Sequence, residues 1–225
     1  MILGIDTSAG TTVAVVDPDG VVRAESSSAD PLRHAEVVGT LLADALDQAR
    51  VGAALGVPGA VADGGVSHVA AGMGPGPFTG LRIGIAAARA FALARGIPVI
   101  PVVSHDAVAL GVLLHAYLTD ADPERFAVVT DARRREVAYT VYDGLDDDGL
   151  PVRVTEPALA PRDEVDARLA ELGAVRRDAA VIPGAILALA AARALAAGRE
   201  IGPSEPLYLR SPDVTLAHTP KRVTA

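Results

Sequence analysis

The segment at residues 74–84, Gly-Pro-Gly-Pro-Phe-Thr-Gly-Leu-Arg-Ile-Gly, limits the possible folds of this chain more than any other. Proline presets φ for one turn position, and glycine takes the positive φ that can follow it. From Gly80 onward, no proline interrupts a run of good helix formers that continues to Gly96. The pattern predicts a tight turn, Thr79 as an N-cap and a long helix.

This predicted helix is apolar around most of its circumference. At 100° per residue, one side holds Leu81, Ile85, Ala88 and Ala92, and the opposite side holds Ile83, Ala87, Ala90 and Ala94. Only Arg82 and Arg89 form a polar strip. Such a helix is normally covered on more than one side. We expect the first side to pack on the protein's own sheet and the second side to contact another subunit.

A second helix is expected to join that contact. Residues 34–50 are amphipathic, and their broad apolar face includes Val38 and Leu42. Small side chains such as Ala87 let a neighbouring helix approach to about 8–10 Å. The predicted subunit interface therefore consists of Val38, Leu42, Ile83, Ala87, Ala90 and Ala94.

The glycine-rich turn also invites comparison with a phosphate-binding loop at a helix N-terminus. However, Pro75 and Pro77 have no amide hydrogen to donate, and no Lys-Ser/Thr pair follows the glycines. The segment is therefore not a P-loop. We favour an ordinary connection between a strand and a helix.

Composition excludes several classes of protein. The chain has 225 residues, half of them apolar but only 3% aromatic, so its core must consist of Val, Leu, Ile and Ala. A formal charge of −8 argues against a protein that binds nucleic acid by itself. The absence of cysteine excludes disulfides and thiolate chemistry, and no segment is long and apolar enough for a membrane span. We expect a cytoplasmic protein that does not enter a membrane.

The predicted elements occur in the same order twice. Three strands in a meander, then helix, strand and helix, are predicted first within residues 2–95 and again within residues 126–197. In the second half we expect a helix at 161–172, a strand at 179–182 and a helix at 184–197. An offset of about 125 residues indicates a duplicated α/β unit. The predicted domains are residues 1–103, with the partner-binding helices, and residues 104–225, with a tail that we expect to be disordered.

Five segments resemble one known family. The chain has two halves that each begin with a three-strand meander, and Asp6-Thr7-Ser8 lies in the first hairpin. This arrangement resembles the actin, sugar-kinase and Hsp70 superfamily. Within it, residues 74–84 are similar to the signature of the TsaB (YeaZ) family. Four further anchors agree in order: residues 5–8, 34–36, 131–134 and 206–210. The chain differs at Pro77, where the family usually has Ser, so the effect on a side-chain hydrogen bond at the turn stays open.

The resemblance implies a duplicated actin-like, ribonuclease-H-like fold and a non-catalytic role. TsaB-like proteins assemble with and activate a TsaD-like transferase, which places threonylcarbamoyl on adenosine 37 of tRNA. They use their N-terminal helices for this contact, form homodimers through the same surface when alone, and work with a TsaE-like ATPase. The resemblance therefore implies contact with tRNA only through the complex. It also implies no cofactor of the chain's own, since ATP is bound mainly by the partner subunits.

A residual nucleotide site is one interpretation of the first hairpin. By resemblance, Asp6 occupies the position of an acidic residue near phosphates and magnesium, with Ser8 and Thr12 in the same hairpin. The alternative is an Asx-turn, in which the Asp6 carboxylate accepts amides of its own loop. We favour the Asx-turn because the second half has no glycine-rich adenosine loop.

Metal catalysis is not expected. In the catalytic relatives, a His at the start of a helix is followed by a second His four residues later, but here His105 is followed by Ala109. A single exposed imidazole binds zinc or iron only weakly, and cysteine is absent. We therefore expect no metal site and interpret His105 as a hydrogen-bonding group at a helix start.

Two charged runs have ordinary interpretations. Arg133-Arg134-Arg135 is expected to be a solvated hairpin turn, and the alternative is a contact with an acidic partner or the tRNA backbone. Asp146-Asp147-Asp148 lacks the spacing of a calcium-binding EF-hand and is expected to be a turn.

Three classes of function remain. The first is an assembly and activation subunit of the tRNA-modifying complex. The second is an ATP-dependent phosphotransferase of the sugar-kinase superfamily, which is supported only by the resemblance in predicted fold. The third is a metallopeptidase, which the missing second His makes the weakest.

Overall fold

The computed structural model describes residues 1–30, 32–54, 65–121 and 123–210. Within these ranges, no helix combines the length and apolar character needed to cross a membrane. The predicted disordered tail at 211–225 lies outside the described residues. Most of the predicted loop at 52–65 also lies outside them, although its first residues are helical.

The first sheet has five strands in the order β3-β2-β1-β4-β5. The strands are β1 (Ile2–Asp6), β2 (Thr11–Val16), β3 (Val22–Ser28), β4 (His68–Gly72) and β5 (Val99–Val102). Short turns make β1, β2 and β3 antiparallel, whereas β4 and β5 run parallel to β1 because helices connect them. The connecting helices are α1 (His34–Ala54) and α2 (Phe78–Arg95).

The second sheet repeats the first four positions of this order. Its strands are β6 (Phe126–Asp131), β7 (Glu136–Leu145), β8 (Pro151–Arg153), β9 (Ala158–Pro161) and β10 (Val175–Asp178). The order is β10-β6-β7-β8, with β9 also paired to β7, and only β10 runs parallel to its neighbour. The remaining helices are α3 (Ser104–Leu118), α4 (Val165–Glu171) and α5 (Gly184–Ala196). The predicted duplicated α/β fold is confirmed.

Both faces of the first sheet are covered. Alternate residues of β1 point to opposite faces, so Leu3 and Ile5 pack under α1 and α2, whereas Ile2 packs under α5 and α3. The helix α5 comes from the second half of the chain, but it packs on the first sheet. The predicted division of the chain at residue 103 stays a prediction.

Two predicted elements of the second half are misplaced. The predicted strand at 179–182 lies instead at residues 175–178, because this edge strand is mostly charged and carries no apolar pattern. The predicted helix at 161–172 begins only at Val165, since residues 158–161 pair with β7 as β9.

The prediction of Thr79 as an N-cap is wrong. The N-cap of α2 is Pro77, whose φ of −60° and ψ of 135° place the chain at a helix start, so α2 begins at Phe78 and Thr79 lies in its first turn. Pro77 makes no side-chain capping bond. The family's usual Ser could make such a bond at this position. At its other end, α2 stops at Gly96 in the left-handed conformation.

The hydroxyl of Thr7 joins the first hairpin to α2. Thr7 Oγ1 donates to the carbonyl of Gly80 at 2.7 Å and accepts from the amide of Gly84 at 3.0 Å. A Cβ at residue 84 would lie 2.2 Å from Thr7 Oγ1, and one at residue 80 would lie 2.6 Å from the Thr7 carbonyl. Glycine at these two positions is therefore needed for the close approach of helix and hairpin.

We predict that Gly84→Ala destabilises the protein by roughly 2 kcal/mol or more, because the added methyl group displaces the buried Thr7 hydroxyl from both partners. The matched control is Gly39→Ala in α1, where a Cβ meets no atom within 4 Å. That change should stabilise the protein by up to about 1 kcal/mol. Urea unfolding of both variants measures the difference, and equal stabilities would contradict the close approach.

Candidate functional site

Residues 204–210, here called the C-terminal strap, cross over the start of α2. The amide of Leu207 donates to the carbonyl of Met73 at 2.8 Å. The ring of Tyr208 packs on that of Phe78 with centroids 4.6 Å apart. The guanidinium of Arg82 lies 3.7 Å from the centre of the Phe78 ring, and its Nε donates to the Tyr208 hydroxyl at 3.1 Å. The strap therefore attaches the chain's last described segment to the 74–84 turn.

A groove lies where this turn, the strap and the β6–β7 hairpin meet, and we call it the arginine groove. Its volume is about 430 Å³, and it is lined by residues 75–79, 131–134 and 208–210, together with Ala138 and Leu159. Two of the family anchors and the signature turn therefore contribute to one surface.

The β6–β7 hairpin has an unusual backbone. Arg133, Arg134 and Arg135 have φ values of 63°, 52° and 63°, so three successive residues with side chains are left-handed. Each such residue is disfavoured by roughly 1–2 kcal/mol relative to the right-handed form. All three side chains are exposed, as the interpretation of the run as a solvated hairpin turn requires.

Ion pairs fasten the hairpin to its surroundings. Arg162 pairs with Asp131, and Arg210 of the strap pairs with Glu136. The amide of Arg162 also donates to the carbonyl of Arg135 at 2.8 Å. Residues 131–136, Arg162 and Arg210 together hold five arginines and two carboxylates. This region is therefore basic, although the whole chain is acidic.

The carboxylate of Asp6 is buried, and both of its oxygens accept hydrogen bonds. Its Oδ1 accepts from the amide of Ser8 at 2.7 Å and from the Ser8 hydroxyl at 2.5 Å, and its Oδ2 accepts from the Ser104 hydroxyl at 2.5 Å. The Ser8 contacts are the Asx-turn that the sequence predicts. Burial raises the pKa of Asp6, and the hydrogen bonds from Ser104 and Ser8 oppose that rise. Asp6 is 1% exposed, so its carboxylate does not face solvent.

The structure brings together only two of the three predicted nucleotide-binding residues. Ser8 lies beside Asp6. The Thr12 hydroxyl instead donates to the carbonyl of Ile182 at 2.9 Å, and this bond joins β2 to the residues just before α5. Sequence analysis missed Ser104, which also accepts from the amide of Gly74 at 3.0 Å. No local pattern identifies it, because Ser104 is 98 residues from Asp6. Residual nucleotide binding stays a prediction.

The side chain of His105 is buried, so the expectation of an exposed imidazole is wrong. Its Nδ1 is 2.8 Å from the Thr140 hydroxyl, and its Nε2 is 2.9 Å from the Thr130 hydroxyl. Both ring nitrogens therefore have protein partners, as a hydrogen-bonding group requires. Over the residues that the structure describes, no group of three or more His, Asp or Glu side chains could hold a metal ion. Whether the protein contains a metal stays a prediction.

A buried ion pair follows His105 directly. Arg153 Nε donates to Asp106 Oδ1 at 2.8 Å, and the Tyr142 hydroxyl donates to the same oxygen at 2.7 Å. Burial raises the pKa of Asp106, and Arg153 opposes this rise. The pKa of Tyr142 is also raised, first by burial and then by the Asp106 charge. The cluster fastens α3 to the second sheet, and sequence analysis did not predict it.

The residues of the predicted subunit interface lie on the outer side of α1 and α2. Ala90 and Ala94 are exposed, and Ile83 and Ala87 are half-buried. Val38 and Leu42 are half-buried and pack partly against the protein's own core. The side predicted to pack internally is buried, namely Leu81, Ile85, Ala88 and Ala92. No partner chain tests the interface itself, which stays a prediction.

The Asp146–Asp148 run is a turn, as predicted. Asp146 Oδ1 accepts from the amide of Leu150 at 2.8 Å, and Gly149 takes a φ of 71°. Arg199 pairs with both Asp146 and Asp148 at 2.6 and 2.7 Å. These two carboxylates therefore bind Arg199, which follows the end of α5.

Comparison with known proteins agrees with this fold. The family model described as TsaD, tRNA N6-adenosine threonylcarbamoyltransferase, matches residues 28–156. An uncharacterized protein of Mycobacterium tuberculosis is 36% identical over 222 residues, which cover 94% of this chain and 92% of that protein. A counterpart in Mycobacterium bovis has the same identity and coverage.

Two solved structures from Pseudomonas aeruginosa are similar to the chain. One is YeaZ, with a TM-score of 0.68 and 28% identity, covering 92% of this chain and 99% of that one. The other is an uncharacterized protein with similarity to peptidase YEAZ, with a TM-score of 0.68 and 27% identity over 93% and 99% of the two chains. The chain belongs to the family described as TsaD, tRNA N6-adenosine threonylcarbamoyltransferase. Within the actin-like superfamily, it is a TsaB-like, YeaZ-like member.

We predict that His105 makes stability depend on pH. Burial, with a smaller contribution from Arg153, lowers the pKa of His105 to about 3 from its ordinary value of 6.5. As the pH falls below 6.5, the unfolded chain binds a proton that the folded chain does not bind, so stability decreases. Between pH 7.5 and 5.5 this group should remove about 1.4 kcal/mol from the free energy of unfolding.

Urea unfolding at both pH values, with the wild type and His105→Gln, measures this contribution. The glutamine can still hydrogen-bond to a threonine but does not titrate. The variant should lose about 1.4 kcal/mol less than the wild type over this range. Equal losses in the two proteins would show that His105 titrates normally and is not buried as described.

Proposed function

We propose that this chain is a non-catalytic subunit that assembles with and activates a TsaD-like transferase in the synthesis of N6-threonylcarbamoyladenosine at position 37 of tRNA. Membership of the family supports the link to this modification. The single observation that carries the proposed role is the uncovered apolar face of α2 beside α1. We propose a cytoplasmic location for this complex.

The outer face of α2 is suited to close helix packing. Ala87, Ala90 and Ala94 follow one another on adjacent turns, and their side chains do not extend beyond a methyl group. A facing helix can therefore approach to about 8–10 Å. Nearby, Leu93 is 85% exposed and adds to the apolar surface on the outer side of α2. This apolar patch supports the proposed protein–protein contact.

The two helices act together because they cover the same face of the first sheet. α1 packs mainly on β2 and β3, α2 packs mainly on β4 and β1, and the two helices also contact each other, so we propose that their outer sides form one continuous surface. Two helices from each subunit would make a four-helix interface. We propose that a TsaD-like subunit occupies this surface in the complex and that a second copy of the chain occupies it when the protein is alone.

The other components enter through this assembly. We propose that a TsaE-like ATPase joins the complex, that tRNA is bound by the complex as a whole, and that ATP is held mainly by the partner subunits. The chain itself then requires no cofactor. Its acidic net charge of −8 supports this division, because an isolated acidic chain repels the phosphates of tRNA.

The contacts at Asp6 and His105 support a non-catalytic role. A phosphotransferase needs a carboxylate that can reach magnesium, but both oxygens of Asp6 accept internal hydrogen bonds. A metallopeptidase needs free imidazole nitrogens, but those of His105 contact Thr140 and Thr130. No observation in the described part of the chain favours either alternative over the assembly role.

We predict that Ala87→Glu gives a folded monomer that neither binds the TsaD-like protein nor supports tRNA modification. In the free chain the added carboxylate reaches solvent, because Ala87 is only half-buried. In the complex it is a buried charge without a partner, which costs several kcal/mol on association. Light scattering, co-purification and a modification assay with the partner proteins measure the three effects.

The matched control is Ala167→Glu, which makes the same change at an exposed position of α4 on the second sheet. This variant should dimerise, bind the partner and support modification like the wild type. If Ala87→Glu also behaves like the wild type, the interface is wrongly placed. If it does not fold, Ala87 belongs to the internal core and the two sides of α2 must be exchanged.

A further inference from the structure

We propose that the outer edge of β10 and the groove beside it bind an extended segment of another polypeptide, which adds a strand to the second sheet. We call this site the β10 groove, and its walls are α3, β10 and residues 179–181. It lies on the second sheet, whereas the surface of the proposed function lies on α1 and α2 of the first sheet. The site is therefore independent of the proposed function.

The repeated fold leaves the fifth strand position of the second sheet empty. In the first sheet, β4 lies between β1 and β5. The corresponding strand β10 pairs with β6 on one side, and no strand of the described chain pairs with its other side. The chain does not fill this position after α5, because Ile201 forms a parallel bridge with Val102 of β5 in the first sheet. The outer edge of β10 is therefore open.

The register of β10 shows which backbone groups face this edge. The amide of Ala179 donates to the carbonyl of Val129 in β6 at 2.8 Å. Along a parallel strand, the backbone groups of successive residues point to alternate sides. The amides and carbonyls of Arg176 and Asp178 therefore point away from β6, and no residue of the described chain forms a hydrogen bond with them. An added strand would supply the missing partners.

The groove beside the edge can take the side chains of an added strand. Its volume is about 1000 Å³, at the upper end of the range for small-molecule sites. Its lining is mainly apolar and includes Val108, Val112, Ala116, Phe126, Val175 and Val181. Alternate side chains of a strand point to the same face of a sheet. We therefore expect the bound segment to have apolar residues at alternate positions.

The charged side chains of β10 do not protect its edge. Natural edge strands are often protected by proline or by charges that face an incoming strand. The edge strand β5 contains Pro101, but β10 contains no proline. Arg176 pairs with Asp178 and with Asp166 of α4, so these charges are held on the side of the sheet that α4 covers.

Two charges in the lining stay available to a bound segment. Arg177 and Glu124 both line the groove, and neither side chain has an ion pair or hydrogen bond with the described chain. Because Phe126 pairs with Val175, Glu124 lies near the start of β10, whereas Arg177 lies near its end. A segment with a basic residue near Glu124 and an acidic residue near Arg177 would complement both charges.

The test is the selection of peptides from a random phage-displayed library on the purified full chain. Phage that also bind Val175→Asp are discarded, because this change puts a charge on the apolar wall of the groove. We expect the remaining peptides to have apolar residues at alternate positions. They should also bind Val152→Asp like the wild type, since Val152 has a similar exposure, 38% against 40%, on the opposite edge strand β8.

A matched pair of variants at residue 176 isolates the backbone contribution. Arg176→Pro and Arg176→Ala both lose the ion pairs with Asp166 and Asp178, but only proline also removes the outward amide. Losing this bond leaves a carbonyl of the peptide without its partner. The synthesised peptides should therefore bind Arg176→Pro about tenfold or more weakly than Arg176→Ala, as measured by fluorescence anisotropy.

Hydrogen exchange in the wild type supplies a measurement that does not depend on the folding of the proline variant. In the free chain, the amides of Arg176 and Asp178 should exchange faster than that of Arg177, which faces β6. Bound peptide should protect the amides of Arg176 and Asp178. NMR spectra recorded with and without the peptide measure these rates.

Four results would overturn the proposal. The first is that no peptide remains after the counter-selection. The second is that the selected peptides bind Arg176→Pro and Arg176→Ala equally. The third is that bound peptide does not protect the amides of Arg176 and Asp178. The fourth is a homodimer that Val175→Asp abolishes and Ala87→Glu does not, because a second copy of the chain would then occupy the edge.

Discussion

The position of α2 depends on one hydroxyl group, that of Thr7. It lies between the carbonyl of Gly80 and the amide of Gly84, at 2.7 and 3.0 Å, and so joins the β1–β2 hairpin to the first turns of α2. Each hydrogen bond contributes only about 0.5–1.5 kcal/mol to stability, but leaving such buried groups without partners costs more. Because the glycines have no side chains, α2 lies against the hairpin in one orientation.

That orientation determines which sides of α2 are covered. Leu81 and Ile85 face the sheet, and the alanines at 87, 90 and 94 face outward next to α1. The same glycine-rich segment thus serves two purposes. It holds the core of the first half together, and it presents the surface that we assign to the partner. Its turn also forms a wall of the arginine groove.

In this chain, both carboxylate oxygens of Asp6 accept internal hydrogen bonds. Asp6 accepts hydrogen bonds from Ser8 and Ser104, and burial raises its pKa. Ser104 also bonds to Gly74 and thereby connects the start of α3 to the turn before α2. α5 from the second half completes the core of the first. These contacts tie the two halves together and support a structural role.

Sequence alone predicted the local features well and the long-range ones poorly. The periodicity of α2 identified its buried side, because helix faces follow from spacing within a few residues. The strand β10 was misplaced because its charged residues lie at a sheet edge. The burial of His105 and its bonds to Thr130 and Thr140 depend on residues 25 and 35 positions away, and no local pattern reports such contacts. The groove was missed for the same reason, since three distant segments form it.

The most direct test of the proposed assembly uses the absence of cysteine from the chain. A single Ala90→Cys substitution allows one benzophenone photocrosslinker to be placed on the outer side of α2. Ala167→Cys on α4 provides the matched position outside the proposed interface. In extracts of the native host, we expect Ala90 to crosslink to a protein that mass spectrometry identifies as TsaD-like, and Ala167 not to do so. Crosslinking of the TsaD-like protein from Ala167 alone, or from neither position, would contradict the assignment of this helix face.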